Sequence, residues 1–189
     1  MLSMVKINHM NNVPLLSIEL ANSRKPKRPS GIREAYLFDP FENQKTLLEF
    51  LKQLKHPDIN YDSLVLLDIN LDEIKVLRKT VEQIIFQLIN KKEFSLKAIT
   101  QLNERAKSCC WTHQLKQDGT YSDVLQSGTL AGIIASICIM ELAKCDVKRI
   151  KICCRTSCGL YFYDTTRNRS ARWHAENPCG WRTRSERRK

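Results

Sequence analysis

No stretch of this chain reaches the roughly 18 consecutive apolar residues that a membrane-spanning helix requires. Its longest apolar run, Leu130 to Met140, is broken by Gly132 and Ser136, and so fits a buried helix. The first segment, Met1 to Leu20, contains His9, Asn11 and Asn12 and lacks a sustained apolar stretch. It therefore does not read as a secretory signal, and the expected location is cytoplasmic, away from membranes. Internal repeats and low-complexity tracts are absent. So are Gly-x-Gly-x-x-Gly, the Walker lysine loop, His-Glu-x-x-His and Gly-x-Ser-x-Gly. Without these motifs catalysis has no visible support, and the chain is not expected to be an enzyme.

Acidic residues are also few: 20 Asp and Glu face 31 Lys and Arg, a formal charge of +11 over 189 residues. The excess is concentrated. Lys148 to Lys189 carries 12 basic residues against Asp164, Glu176 and Glu186, a net +9, and leaves only +2 for the preceding 147. Charge this dense repels itself unless something neutralises it, so a polyanion is the expected partner.

The eight cysteines divide in the same way. Cys109, Cys110, Cys138 and Cys145 fall in segments that read as strand or helix, where a small apolar thiol packs well. The remaining four lie in the basic segment. A reducing compartment with thiolates held by metal fits them better than disulfides in a secreted chain.

Upstream, Val13-Pro14-Leu15-Leu16-Ser17-Ile18-Glu19-Leu20 resembles a short strand with polar interruptions. It leads into the basic Asn22 to Gly31, a loop by its prolines and glycine, whose charge run suits a solvated surface. Asp39-Pro40 has the form of a helix start, with Asp39 as N-cap and Pro40 in the first turn. Leu47, Leu48, Leu51 and Leu54 then recur at helical spacing up to His56-Pro57. Asp72 to Asn90 reads as a second helix with Ile74, Leu77, Val81, Ile84, Ile85 and Leu88 on one face. Ser95 can cap a third, striped by Leu96, Ile99, Leu102 and Ala106. Trp111, Thr112, Tyr121 and Val124 flank Asp118-Gly119, a hairpin signal near 110–125. Gly128 to Lys144 reads as the most buried helix, and Arg149 to Ile152 as a short strand. His9, His56 and His113 have no partner at a ligand spacing and read as ordinary surface or packed histidines. The expected class is α+β, mainly α. A helical N-terminal domain over 1–147 with a small β element precedes a small zinc-binding module over 148–189.

Within the module, Cys153-x4-Cys158-x15-His174-x4-Cys179 sets out four soft ligands as two pairs with equal gaps. Zn²⁺ favours four such ligands in a tetrahedron, and a closed set leaves no position for substrate. Cys154 is an alternative first ligand; Cys153 is preferred because its gap then equals that of the second pair. About 40 basic residues with few aliphatics cannot build an independent core unless something staples them. With zinc in place, Tyr161, Phe162, Tyr163, Trp173 and Trp181 can complete a small core; Trp181 is expected to pack there, the alternative being that it stacks on a base. Asp164 and Asn168 read as turn and capping residues. Arg167, Arg169 and Arg172 lie between ligands two and three, and Arg182, Arg184, Arg187 and Arg188 follow ligand four. Their planar forks suit phosphate and guanine edges.

The run Cys158-Gly-Leu-Tyr-Phe-Tyr-Asp164-Thr-Thr-Arg167-Asn168-Arg-Ser170-Ala-Arg172-Trp173-His174, followed by Cys179-Gly180-Trp181-Arg182, resembles the CGNR zinc finger. That family reads Cys-x4-Cys, Phe-x-Asp-x-Ser-Arg-Asn, Arg-Arg-Trp-Cys and Cys-Gly-Asn-Arg. His174 stands for the usual third cysteine and keeps a zinc ligand. Trp181 stands for the asparagine of the name motif, and Ala171 for an arginine. The helix that usually follows is expected to run for only about two turns after Arg182. Upstream, Leu15 to Arg24 resembles the apolar stretch ending in Asn-Thr-Arg of the companion ABATE domain, without its usual Asp. The order of helix pair, Asn103-containing helix, hairpin and apolar helix agrees with that domain.

The resemblance implies a bacterial transcription regulator, with some relatives suggested to respond to stress. Zn²⁺ is then the cofactor and nucleic acid, duplex DNA first, the partner. The helical part is left for homodimer formation or a small-molecule effector. Two alternatives stay open: a protein-interaction adaptor whose zinc is purely structural, and a single-stranded RNA binder.

Overall fold

A computed structural model describes residues 15–24, 38–56, 59 and 68–186. Readings placed on His9, Val13, Pro14, Lys25 to Gly31, Pro57, Arg187 and Arg188 lie outside the described residues. The class is α+β and mainly α. In chain order the elements are α1 (Leu16–Asn22), α2 (Gln44–Leu54), α3 (Leu71–Ile89), α4 (Leu96–Ala106), β1 (Cys109–Leu115), β2 (Tyr121–Gly128) and α5 (Leu130–Lys144). A 3-10 turn (Val147–Arg149), β3 (Ile150–Ile152), β4 (Tyr161–Tyr163), an irregular turn (Glu176–Gly180) and α6 (Trp181–Glu186) follow. No helix among the described residues is long and apolar enough to cross a membrane.

The core is built on α5, whose Leu130, Ile133, Ile134, Ile137 and Cys138 are all buried, with Thr129 capping its start through the amide of Gly132. Helices α1, α3 and α4 contact it. Helix α3 presents Ile74, Leu77, Val81, Ile84 and Ile85 at the spacing of one face and is capped by Asn70. Helix α4 crosses closest at Gly132, where a Cβ would lie 3.0 Å from the carbonyl oxygen of Arg105. That approach favours small side chains. Ala98 and Leu102 are the buried positions of α4, whereas Leu96, expected in its stripe, is 78% exposed.

Two further expectations are corrected. The segment read as a strand is α1, and its alternation of apolar and polar residues is not an inside–outside pattern. Ser17 and Asn22 are buried along with Leu16, Ile18, Leu20 and Ala21. No local side chain caps α1. The Glu141 carboxylate of α5 accepts hydrogen bonds from the Leu16 and Ser17 amides at 2.7 and 2.8 Å, and lies 3.0 Å from His56 Nε2. Helix α2 likewise starts later than Asp39-Pro40: Asn43 is its cap, accepting from the Thr46 amide. Asp39 is drawn away by the buried Arg78, which donates to both its oxygens at 2.7 and 2.8 Å and lies over the Phe41 ring. The Arg78 hydrogen bonds hold the Asp39 carboxyl below its ordinary range.

The hairpin forms where Asp118-Gly119 places it, with Cys109 opposite Gly128 and Leu115 opposite Tyr121, and a bulge between Cys110 and Trp111. A second antiparallel pair sets Ile150, Lys151 and Ile152 against Tyr163, Phe162 and Tyr161. Ile150 and Tyr161 join the same buried core as the helices. Asn22, at the end of α1, fixes this second pair: its Nδ2 donates to the Tyr161 carbonyl at 2.8 Å and its Oδ1 accepts the Tyr161 amide at 2.9 Å. An amide side chain thus extends the β4 edge as a neighbouring strand would.

Candidate metal centre

The β3–β4 pair positions the first two ligands. Its ladder continues for one bond beyond the strands, from the Cys153 amide to the Leu160 carbonyl at 2.8 Å. The loop between them then turns, with the Cys158 amide donating to Arg155 at 2.9 Å, so that both thiols face one point. The Cys154 amide holds the returning chain through the Arg172 carbonyl at 2.8 Å, two residues before His174. An irregular turn with an extended Asn177 delivers Cys179. Gly180 follows, with the Glu176 carboxylate lying over it.

The structure brings together all four residues read from the spacing. The ligand atoms of Cys153, Cys158, His174 and Cys179 lie within 4.8 Å of one another. Cys158 Sγ is 3.5 Å from His174 Nδ1. Cys153 and Cys179 are buried, whereas the alternative, Cys154, is exposed. All eight cysteines are free thiols. Burial pushes the Cys179 thiol up to about 12, reinforced by the neighbouring Cys158, and raises Cys158 as well. Loss of water around the ring lowers His174, which favours the neutral imidazole that serves as a ligand. Three thiols and an imidazole converging on one point are the donor set of structural Zn²⁺, which stabilises thiolates that burial alone disfavours. The cluster fits Zn²⁺.

Residues 149–189 match the CGNR zinc finger family. No curated protein matches the chain.

The finger has its own polar centre at Asp164, 1% exposed. Its carboxylate accepts from Lys151 Nζ at 2.6 Å, the Thr166 hydroxyl and amide at 2.6 and 2.9 Å, and the Ala171 amide at 3.0 Å. Burial alone would raise its pKa, but Lys151 and Thr166 outweigh that and hold it down to about 2. Lys151 also donates to the Arg169 and Ala171 carbonyls, and Arg149 to the Asp164 and Thr166 carbonyls. Lys151 and Arg149 were not singled out by sequence reasoning. The available signal was a lone Asp in a basic segment, which needs a cation once buried.

The candidate arginines sort into groups. Arg169 pairs with Asp146 at 2.7 Å, and Arg184 with Glu176. Arg172 and Arg184 lie over the half-buried Trp173 ring, 5.5 and 5.6 Å from its centroid. Arg167 and Arg182 have no ion-pair or hydrogen-bond partner among the described residues. Arg155, outside the expected set, pairs with Glu186 at 2.9 Å. Trp181 does not complete the small core as expected: it is 61% exposed at the start of α6, a helix with no buried residue. Tyr161 and Phe162 are buried, as expected, and Asn168 lies in an exposed turn.

Proposed function

We propose that this chain is a zinc-dependent nucleic-acid-binding protein acting as a DNA-binding transcription regulator in the cytoplasm. The observation that carries the reading is the charge balance around the cluster. Each acidic residue of the finger is held by a cation of its own chain: Asp164 by Lys151, Glu176 by Arg184 and Glu186 by Arg155. The segment nevertheless carries a net +9, of which Asp146 offsets only part through Arg149 and Arg169, and Arg167 and Arg182 have no partner among the described residues. Charge left over after internal pairing calls for an external polyanion. In this reading Zn²⁺, held by Cys153, Cys158, His174 and Cys179, cross-links the finger and carries no reaction. The helical body, with its resemblance to the ABATE domain, provides the dimer contact or effector site.

The test is selection of bound sequences from random duplex DNA by the zinc-loaded protein, with and without a chelator. Enrichment of one sequence that disappears on chelation is expected. Failure of the metal-replete protein to bind DNA at low salt ends the reading.

A further inference from the structure

We infer that Trp181 is a base-stacking contact, and that the finger takes nucleic acid in which at least one base is unpaired. The inference rests on the nucleic-acid reading above and specifies the form of its partner.

Several large apolar side chains are exposed, among them Leu96 at 78%, Leu115 at 81% and Tyr121 at 59%. Those lie in the part of the chain that contributes only +2, whereas Trp181, 61% exposed, lies in the segment of net +9. An apolar protein surface would cover Trp181 only by also covering its neighbour Arg182, a cation with no partner among the described residues. A nucleic acid answers both, since its phosphates meet the cations and a base presents a flat apolar face to the indole.

The position is also tethered to the rest of the finger, which lowers the ordering cost of a stacking contact. Helix α6 begins directly after the cluster residue Cys179 and Gly180. Thr183 Oγ1 donates to the Cys179 carbonyl at 2.8 Å, Arg184 pairs with Glu176, and Glu186 pairs with Arg155 in the Cys153–Cys158 loop at 2.9 Å. The helix is tied down at its start, middle and end, and its first residue is left projecting. A base inside a regular duplex is already stacked on both faces and is reached only at the cost of unstacking a step, whereas an unpaired base, in a single strand or extruded from a duplex, offers its face directly.

The experiment uses the full zinc-loaded chain and end-labelled DNA of one sequence in three forms: perfect duplex, the same duplex with one bulged base, and single strand. Binding is read by fluorescence anisotropy at fixed salt for the wild type, Trp181→Ala and Trp181→Phe. The wild type is expected to prefer the bulged duplex and single strand over the perfect duplex. Trp181→Ala should weaken binding to both by about tenfold or more. It should change the perfect duplex by less than about twofold and leave the salt dependence intact, because phosphate contacts set that slope. Trp181→Phe should restore part of the preference. Equal binding of the bulged duplex by the wild type and Trp181→Ala overturns the inference and leaves the nucleic-acid reading standing. Absence of binding to all three forms by the wild type overturns both.

Discussion

Glu141 in the helical body is 8% exposed and Asp164 in the finger 1%, and the two carboxylates collect their partners over different ranges of chain. Glu141 is met by the amides of Leu16 and Ser17, 125 and 124 positions away, and by His56, 85 away. Asp164 is met by Thr166, Ala171 and Lys151, which are 2, 7 and 13 positions away. Both satisfy the same requirement, that a buried carboxylate be hydrogen-bonded on every side. In the body, that requirement ties together helices brought side by side by apolar burial. In the finger, where apolar residues are too few, it organises a single loop around a metal cluster. The body should therefore fail through loss of distant contacts and the finger through loss of its staple.

Removing the metal tests this contrast most severely. Structural Zn²⁺ contributes about 10–16 kcal/mol of apparent binding free energy in finger peptides. Chelation, or Cys153→Ser, should disorder the finger and abolish the proposed DNA binding, while helical circular dichroism falls only slightly. A complete collapse of helicity would show that the body depends on the finger.

Next in size is Glu141→Ala, which leaves the Leu16 and Ser17 amides buried without an acceptor. At ~1–3 kcal/mol for each unpaired group, the cost should be about 3 kcal/mol or more by denaturant titration. Zinc content should stay unchanged. Glu141→Gln keeps one acceptor oxygen and should cost less.

Asp164→Asn should cost about 1.5–3 kcal/mol, the range for a hydrogen bond to a charged group. The sign of its pH dependence follows from a carboxyl lowered from 3.8 to about 2. Such a group contributes fully above its unfolded value and loses that contribution as pH falls through its folded value. The stability gap between wild type and Asp164→Asn should thus be largest above about pH 4 and close toward pH 2. A gap that widened on acidification would contradict the geometry.

The smallest effect is expected at Asn22, which joins the two regions. Asn22→Ala removes both hydrogen bonds to Tyr161 and should cost about 1–3 kcal/mol. Amide exchange should quicken at Tyr161 and neighbouring residues of β4, with little change around Glu141.

The finger was legible because its constraints are local. Ligand spacing, the lone Asp164 and the Arg-Trp pair all lie within one short segment, and the cluster forms where the spacing predicts. Trp181 was misjudged because spacing cannot say on which side of a helix a residue emerges. In the body, the periodic helices α3 and α5 and the Asp118-Gly119 turn were readable from pattern. Helix α1 was not, since its cap lies on another helix and its polar Ser17 is as buried as its leucines. Asp39 has the chemistry of an N-cap, yet the buried Arg78 claims its carboxylate.

By itself the sequence determined the mainly helical class, the hairpin, the four-residue metal cluster and the concentration of charge at one end. Each of these follows from periodicity, turn chemistry, ligand count or composition, which act over a few residues. The tertiary structure alone decided that Leu16–Asn22 is a helix, that Asn22 extends the β4 edge, which arginines are already paired, and that Trp181 projects outward. Those outcomes depend on which buried polar groups meet across the fold, and only the packed chain brings such groups within hydrogen-bonding distance.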